Sequence, residues 1–439
     1  MLTKEDNELL SQTGPGTPMG ELFRRFWLPA LLSSELPEPD CTPVRVKMLG
    51  EDLIAFRDTS NHVGLLGSHC PHRGTSLFFG RNEENGLRCA YHGWKFDRTG
   101  QCVDMPNEPP ESNFKNKIQH TAYPCQERAG LVWAYLGPKH LNPELPELEW
   151  MLIPESHRSI SKVLSECSYL QVMEGDYDNS HSSFLHGGLG GPLTDGLKER
   201  MVAGRGIGRP GNPSPFGAYR LQDTAPRGEA KLTDYGIMMG WRRDADEERY
   251  YWRVNHWLTP LFTLIGSGGN VERGILAHVN VPIDDETSWT YQVRYRPDAR
   301  LTEEQIRSDQ KGGAGSQFAE IIPGTFRAKQ NKDNDYFIDR ALQRTSSFTG
   351  IDSIPAQDRM AQESMGAIPD RTREHLGSSD VVIIQVRRRL LDMAKALEDG
   401  IEPYAASHGA MYRIRTADLL LNRNRPWAEA VERLIQVPA

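Results

Sequence analysis

The spacing of apolar side chains changes character along the chain. Near the start, Gly20-Glu21-Leu22-Phe23-Arg24-Arg25-Phe26-Trp27 has the period of an amphipathic helix, with Pro29 as its stop. From about Val44 to Gly137 the apolar runs are short and β-rich: Val44–Leu49, Leu53–Arg57, Val63–Leu66 and Leu131–Leu136, separated by Gly, Pro, Asn and Asp turns. This texture predicts a small all-β module. Pro138–Pro154 carries four prolines and reads as a connector.

A second region begins near Ser159. Leu170–His186 has helical composition and stops at Gly187-Gly188, and the Gly/Pro-rich stretch Gly204–Gly217 has the length of a lid or entrance. Three strands follow, Tyr250–Trp257, Ile275–Ile283 and Ser288–Tyr295. The alternation of Ile275, Ala277, Val279 and Val281 fits a half-buried antiparallel sheet. Helical patterns return at Leu301–Gln310, Asp335–Arg344 and Val381–Leu397, and the tail beyond has no clear period. The expected fold class is α+β in three parts: a helical segment over 1–40 packed on the last unit, the β module over 41–140, and an antiparallel sheet with helices over 141–439.

Composition narrows the functional classes. The chain has 439 residues, 38% hydrophobic and 25% charged, with a net charge of -8 and no basic stripe, which argues against nucleic acid as a partner. No apolar run approaches the roughly 20 residues of a membrane span. Met1–Leu10 is polar and acidic, without the apolar core of a secretion signal. Six cysteines are too few for a disulfide scaffold, so a reducing, cytoplasmic setting is expected.

Two of those cysteines lie in short mixed motifs, Cys70-Pro71-His72 and Cys89-Ala90-Tyr91-His92. Each pairs a thiolate donor with an imidazole. Two cysteines and two histidines are the ligand set of a Rieske [2Fe–2S] cluster, in which Cys₂ holds one iron and His₂ the other. A Cys₂His₂ zinc site usually pairs like with like along the chain, and the interleaved order here disfavours it. Gly74 and Gly93 follow the motifs and give the backbone freedom to turn. Cys41, Cys102, Cys125 and Cys167 have no ligand spacing and read as core residues.

The runs Cys-Pro-His-Arg-Gly at 70–74 and Cys-Ala-Tyr-His-Gly-Trp at 89–94 resemble the cluster loops of the catalytic α subunits of Rieske non-haem iron oxygenases. The resemblance is closest to the phthalate dioxygenase and aromatic O-demethylase branch. It extends from Gly-Thr-Pro-Met-Gly at 16–20 to about Leu397. It implies an N-terminal Rieske module, a catalytic domain of helix-grip type, and a mononuclear Fe(II) site in addition to the cluster, the two lying too far apart within one chain for direct electron transfer.

In Asp178-Asn179-Ser180-His181-Ser182-Ser183-Phe184-Leu185-His186 the resemblance makes His181 and His186 ligands of that iron, two arms of a two-histidine, one-carboxylate triad. On an ideal helix they would stand about 140° apart, so a helix must distort or end between them. The third ligand is expected downstream at a helix start, and Lys332–Asp339 offers Asp335, with Asp333 and Asp339 as alternatives. An acidic helix N-terminus would produce the same composition without any metal. By the same resemblance Asp178 bridges His181 to the cluster histidine His92 of a neighbouring subunit, which implies a trimer or stacked trimers. Asp176 is the second choice for that role, and its plain reading is a solvated helix carboxylate.

For an acidic aromatic substrate the resemblance points to arginines: Arg242, with Arg205 or Arg209 as its partner. The plain alternative is surface charge, since Arg243–Arg249 looks like a solvated turn. Tyr235-Gly236-Ile237-Met238-Met239-Gly240 is more apolar than the family's wall at this place, which favours a bulkier or methoxylated acid over phthalate. Gly204-Arg205-Gly206-Ile207-Gly208 lacks the strand-to-helix setting of a dinucleotide fingerprint. Electrons are therefore expected from a separate NADH-dependent reductase, with or without a ferredoxin, and O2 is the co-substrate. The rival is a stand-alone Rieske electron-transfer protein, but such a module needs only about 100 residues.

Overall fold

A computed structural model describes residues 2–189, 215–269, 273–313 and 316–438. The β-rich runs fold as expected. Val44–Met48 and Glu51–Arg57 form a hairpin whose turn residues Leu49 and Gly50 take φ of 48° and 75°. Val63–Gly67 and Ala122–Tyr123 extend it to four strands. A second four-stranded sheet of short strands (Arg81–Glu83, Gly86–Arg88, Lys95–Phe96, Cys102–Asp104) carries one of the two Cys/His motifs at its turns. Beneath both motifs lies a small core of Ile54, Phe56, Leu66, Leu77, Leu87 and Phe96, closed by the thiols of Cys70, Cys89 and Cys102.

The larger unit is an eight-stranded antiparallel sheet. Its order runs Arg158–Ser165, Ser288–Tyr295, Ile275–Pro282, Phe262–Ile265, Arg249–Leu258, Gly236–Asp244, Arg227–Thr233, and Ala417–Asn422 pairs with the outer part of Arg249–Leu258. Alternate residues of its central strands differ sharply. Ala277, Val279, Val281, Tyr291 and Val293 enter the main apolar core, while His278, Asn280, Thr290 and Gln292 are polar. The helix Tyr169–Tyr177 lies against these strands, and Asp176 on it bonds His278 and Asn280, so it covers the polar face. Among the described residues no helix is long and apolar enough to cross a membrane.

Several elements differ from the sequence expectation for identifiable reasons. The first helical pattern ends at Arg24, and Trp27–Leu32 is a strand paired with Leu131–Tyr135, so sheet pairing overrides the local period. The expected 170–186 helix stops at Tyr177, before either histidine. The expected 335–344 helix begins only at Arg340: Asp335, Tyr336 and Phe337 have φ of 50°, 54° and 53°, outside the helical basin. The hairpin of Arg227–Thr233 with Gly236–Asp244 and the helix Ile354–Glu363 had no counterpart in the sequence reading. The stretch Gly204–Gly217, with Arg205 and Arg209, lies almost wholly outside the described residues.

The small sheets grip the large one through main chain and one buried ion pair. Leu49 and Gly50 N–H groups donate to the carbonyls of Pro282 and Ile283 at 2.8 and 2.9 Å. Lys162, 4% exposed, bonds Glu35 at 3.0 Å, with its ammonium 4.3 Å from the Trp289 ring centre and 4.5 Å from that of Phe326. Removing one partner of such a pair strands a buried charge. Glu35→Ala is expected to cost about 3–5 kcal/mol in urea unfolding, whereas the double variant Glu35→Ala/Lys162→Met should recover most of it. Equal losses in the single and double variants would count against the pair.

Candidate metal centres

The two Cys/His loops share one backbone frame. The Cys70 N–H donates to the Thr75 carbonyl (2.8 Å) and the Gly74 N–H to the Cys70 carbonyl (2.9 Å). In the second loop the Cys89 N–H donates to Trp94 (2.8 Å) and the Gly93 N–H to Cys89 (3.0 Å). Gly74 and Gly93 close these turns at φ of 76° and 79°, where a side chain would be strained. The histidines sit two and three residues after their cysteines within this common frame. It brings the His72 and His92 rings to 4.5 Å between centres, with His72 stacked on Trp94 at 4.4 Å.

The donor set fits a cluster. Both cysteines are buried, and burial, with Cys89 adding, pushes the Cys70 thiol up to about 11. Paired buried sulfurs become thiolates only beside a strong positive charge, which bound iron supplies. Burial, then His72 and Arg73, holds His92 below the usual imidazole value, favouring the neutral form that ligates. The histidine side faces outward: Tyr91 is 53% exposed beside it.

The second centre is made by two distant segments. After the helix Tyr169–Tyr177, the chain turns through Asp178 and a short 3₁₀ turn, His181–Ser183, so that His181 and His186 face one another. Arg243 holds this turn, donating to the Asn179 carbonyl (3.1 Å), Asn179 Oδ1 (3.0 Å) and Ser183 Oγ (3.2 Å). From the helix Ile354–Glu363 come Gln357 and Asp358. His181 Nε2, His186 Nε2 and one Asp358 oxygen converge: the two nitrogens are 3.2 Å apart, and Asp358 lies 3.2 Å from His186 and 3.7 Å from His181.

The tautomers follow from the outer partners. Gln357 Nε2–H donates to the Ile351 carbonyl at 2.6 Å, so its oxygen faces His186 Nδ1 at 2.7 Å and that nitrogen must carry the proton. Asp178, 3.3 Å from His181 Nδ1, demands a proton there too. In the neutral rings both Nε2 atoms therefore present lone pairs to each other and to a carboxylate. A cation resolves that repulsion, and ligands at right angles around an ion with bonds near 2.1 Å stand about 3 Å apart. The site fits a mononuclear metal with two nitrogens and one oxygen.

Asp335 is not part of this site. It is exposed in the left-handed stretch, while Asp333 pairs with Arg327 at 2.6 Å and Asp339 caps the helix Arg340–Thr345. The acidic run is a turn and a helix cap. Asp358 takes its place; the missed signal was Ser353-Ile354-Pro355, a helix start with proline in its first turn, three residues before the carboxylate. Asp176 is no solvated carboxylate either. Its two oxygens accept from His278 Nδ1 (2.6 Å) and Asn280 Nδ2 (2.8 Å). Burial opposes charge on His278, but Asp176 and Asp358 outweigh it and hold its pKa above the usual value.

Arg242 does not face the histidine turn. Strand alternation sends Arg243 there and puts Arg242 on the other side, its guanidinium 4.4 Å over the Tyr250 ring. Ile237 and Met239 enter the main core and Met238 a smaller one with Trp252 and Trp427.

Comparison with known proteins identifies the family. Residues 26–122 match the Rieske [2Fe-2S] domain family, and residues 134–431 match the family described as LigXa C-terminal domain like. The chain belongs to the Rieske-type oxygenase subunits. It is 37% identical to the 3-chlorobenzoate-3,4-dioxygenase oxygenase subunit of Comamonas testosteroni, over 99% of each chain. It is 35% identical to the phthalate 4,5-dioxygenase oxygenase subunit of Pseudomonas putida, over 99% of this chain and 96% of that one. With the 5,5'-dehydrodivanillate O-demethylase oxygenase subunit of Sphingobium sp. it shares 31%, over 92% and 83%. The solved structure of dicamba monooxygenase bound to dicamba has the same fold at 17% identity, with a TM-score of 0.56 over 86% of this chain and 99% of that one. As an oxygenase subunit of this family, the protein is an enzyme that carries a Rieske cluster and a mononuclear iron.

Two variants test the centres separately. Gln357→Leu frees the His186 ring and should weaken iron retention about 10–100-fold, measured as iron per chain after dialysis against a chelator, with the cluster's EPR signal intact. Gly93→Ala should impair cluster loading more than Gly74→Ala, because its Cβ would come 2.6 Å from Pro106 while the one at Gly74 meets open space. Visible absorbance of the two purified variants reads the difference.

Proposed function

We propose that this subunit oxygenates an aromatic carboxylic acid, with Cys70, His72, Cys89 and His92 holding the cluster and His181, His186 and Asp358 holding the iron. The observation that carries the reading is the convergence of two imidazole nitrogens and one carboxylate oxygen in a chain that also has an intact Cys₂His₂ loop pair. When bound, the two metal groups would supply one-electron reduction and the activation of dioxygen.

The chain's own residues then have defined tasks. Asp178 orients His181 through Nδ1, while its other oxygen is fixed by the Ser180 N–H and hydroxyl, both at 2.7 Å. Burial alone would raise the Asp178 carboxyl, yet His181 and Ser180 outweigh it and keep it ionised below the usual carboxylate range. A fixed, charged carboxylate at this place suits a bridge to His92 of a neighbouring subunit, and the outward-facing histidine side of the cluster loops suits the same contact. This reading calls for a homotrimer, or stacked trimers. Electrons come from a separate NADH-dependent reductase, with or without a ferredoxin, in keeping with relatives named as oxygenase subunits.

The substrate class rests on relatives named for 3-chlorobenzoate, phthalate and dehydrodivanillate. The product would be a cis-dihydrodiol, or a phenol and formaldehyde where a methoxy group is attacked.

Purified holoenzyme should contain three irons and two sulfides per chain, and should oxygenate at least one of benzoate, 3-chlorobenzoate, phthalate or a methoxybenzoate when given a surrogate reductase. Asp178→Asn should keep all three irons but slow single-turnover oxidation of the reduced cluster by about 100-fold or more. A wild-type rate in that variant would refute the bridge. A sample with two irons and no turnover would support electron transfer alone.

A further inference from the structure

The sulfur side of the two Cys/His loops is buried in one small core, but the histidine side is held by a different device. Trp94 closes the second loop through its carbonyl, which accepts the Cys89 N–H at 2.8 Å, and its ring reaches across to the first loop. The indole lies 4.4 Å from the His72 ring centre at an interplanar angle of 9°. Trp94 is 3% exposed, and Phe114 packs edge-on against it at 6.0 Å. Its Nε1–H donates to Asn107 Oδ1 at 2.8 Å, which fixes the plane of the ring. The tether is itself tied down. Arg88 Nη1 donates to the Gly93 carbonyl and to Asp104 Oδ2, both at 2.7 Å, and so joins the loop to the strand end that leads to Asn107.

The other histidine is treated differently. His92 meets Tyr91 at 3.8 Å between ring centres, with the planes 41° apart, and Tyr91 is 53% exposed. One imidazole is therefore covered by a fixed, buried indole and the other by a phenol ring open to solvent. A parallel stack sets the electron-rich face of the indole against His72. Reducing a cluster held by two thiolates and two neutral imidazoles adds a negative charge to it. A π face opposes that charge, and so does the exclusion of water from the histidine side. Both effects lower the reduction potential.

We propose that Trp94 is a positioning residue for His72 that also holds the cluster's reduction potential down, with Asn107 fixing the indole. This rests on the reading that Cys70, His72, Cys89 and His92 hold the cluster. A lower potential makes the reduced cluster the stronger donor toward the iron. The potential is then set from the buried histidine, which leaves the exposed side of His92 open for contact with a neighbouring subunit.

The test is an anaerobic redox titration of the holoenzyme followed by the EPR signal of the reduced cluster. Wild type is compared with Trp94→Leu, Trp94→Phe and Asn107→Leu, and iron and sulfide are counted on the same samples. At a fixed potential, Trp94→Leu should shift the reduced-to-oxidised ratio about tenfold toward the reduced form, a rise of about 59 mV for a one-electron couple. Trp94→Phe keeps a flat ring against His72 and should rise less. Asn107→Leu leaves the indole in place but untethered, and should broaden the EPR signal. If Trp94→Leu does not load a cluster, Trp94→Phe decides by the same measure. A wild-type or lowered potential in the loaded Trp94 variants overturns the proposal while leaving the ligand reading intact, and an unchanged signal in Asn107→Leu overturns the role of the tether. Wild-type protein with full iron and sulfide but no Rieske EPR signal after reduction overturns the ligand reading as well.

Discussion

Two imidazole nitrogens that face each other at 3.2 Å, with a carboxylate against them, are the constraint around which this protein is arranged. Nothing in the separate segments favours that approach, so the surroundings must impose it. The helix Tyr169–Tyr177 is anchored through Glu174, which takes the buried Arg387 at 2.6 Å. Arg243 then pins the turn that follows, and the helix Ile354–Glu363 presents an amide and a carboxylate in adjacent positions. A cation is what makes the assembled site favourable, so metal binding and local order are coupled.

What could be read from the sequence divides along chemical lines. The two Cys/His loops were legible as candidates because each pair lies within one tight loop, where spacing alone dictates geometry. His181 and His186 were legible as a motif, but their setting was not. Leu170–His186 has helical composition throughout, whereas the chain leaves the helix at Tyr177 to let the two rings meet. The carboxylate expected in Lys332–Asp339 is not the one that meets the histidines, because that segment has the composition of an acidic helix start. Local hydrogen bonds around Asn331 and Asp339 use that composition for a turn and a cap instead. Asp358 follows a weaker signal, one proline in a short helix, and is joined to the histidines only by the tertiary fold.

The sheet shows the same division. Ile275–Pro282 and Ser288–Tyr295 alternate clearly and were placed within a residue of their observed limits. Gly236–Asp244 escaped because both its faces are buried, Ile237 and Met239 in one core and Met238 in another, which erases the period of two. Gly240 also breaks the strand pattern, and it is required: a Cβ there would come 2.7 Å from the Trp427 ring. Arg242 and Arg243 look interchangeable in sequence, and only strand alternation separates a ring-stacked guanidinium from one that braces the histidine turn.

The two histidines of the iron site are backed unequally. His181 leans on a carboxylate and His186 on a neutral carboxamide. Negative charge behind an imidazole gives it partial anionic character and makes it the stronger electron donor. The pair is therefore a firm arm and a compliant one. With a metal held at these nitrogens, His181 would be the stronger donor and His186 the ring freer to shift.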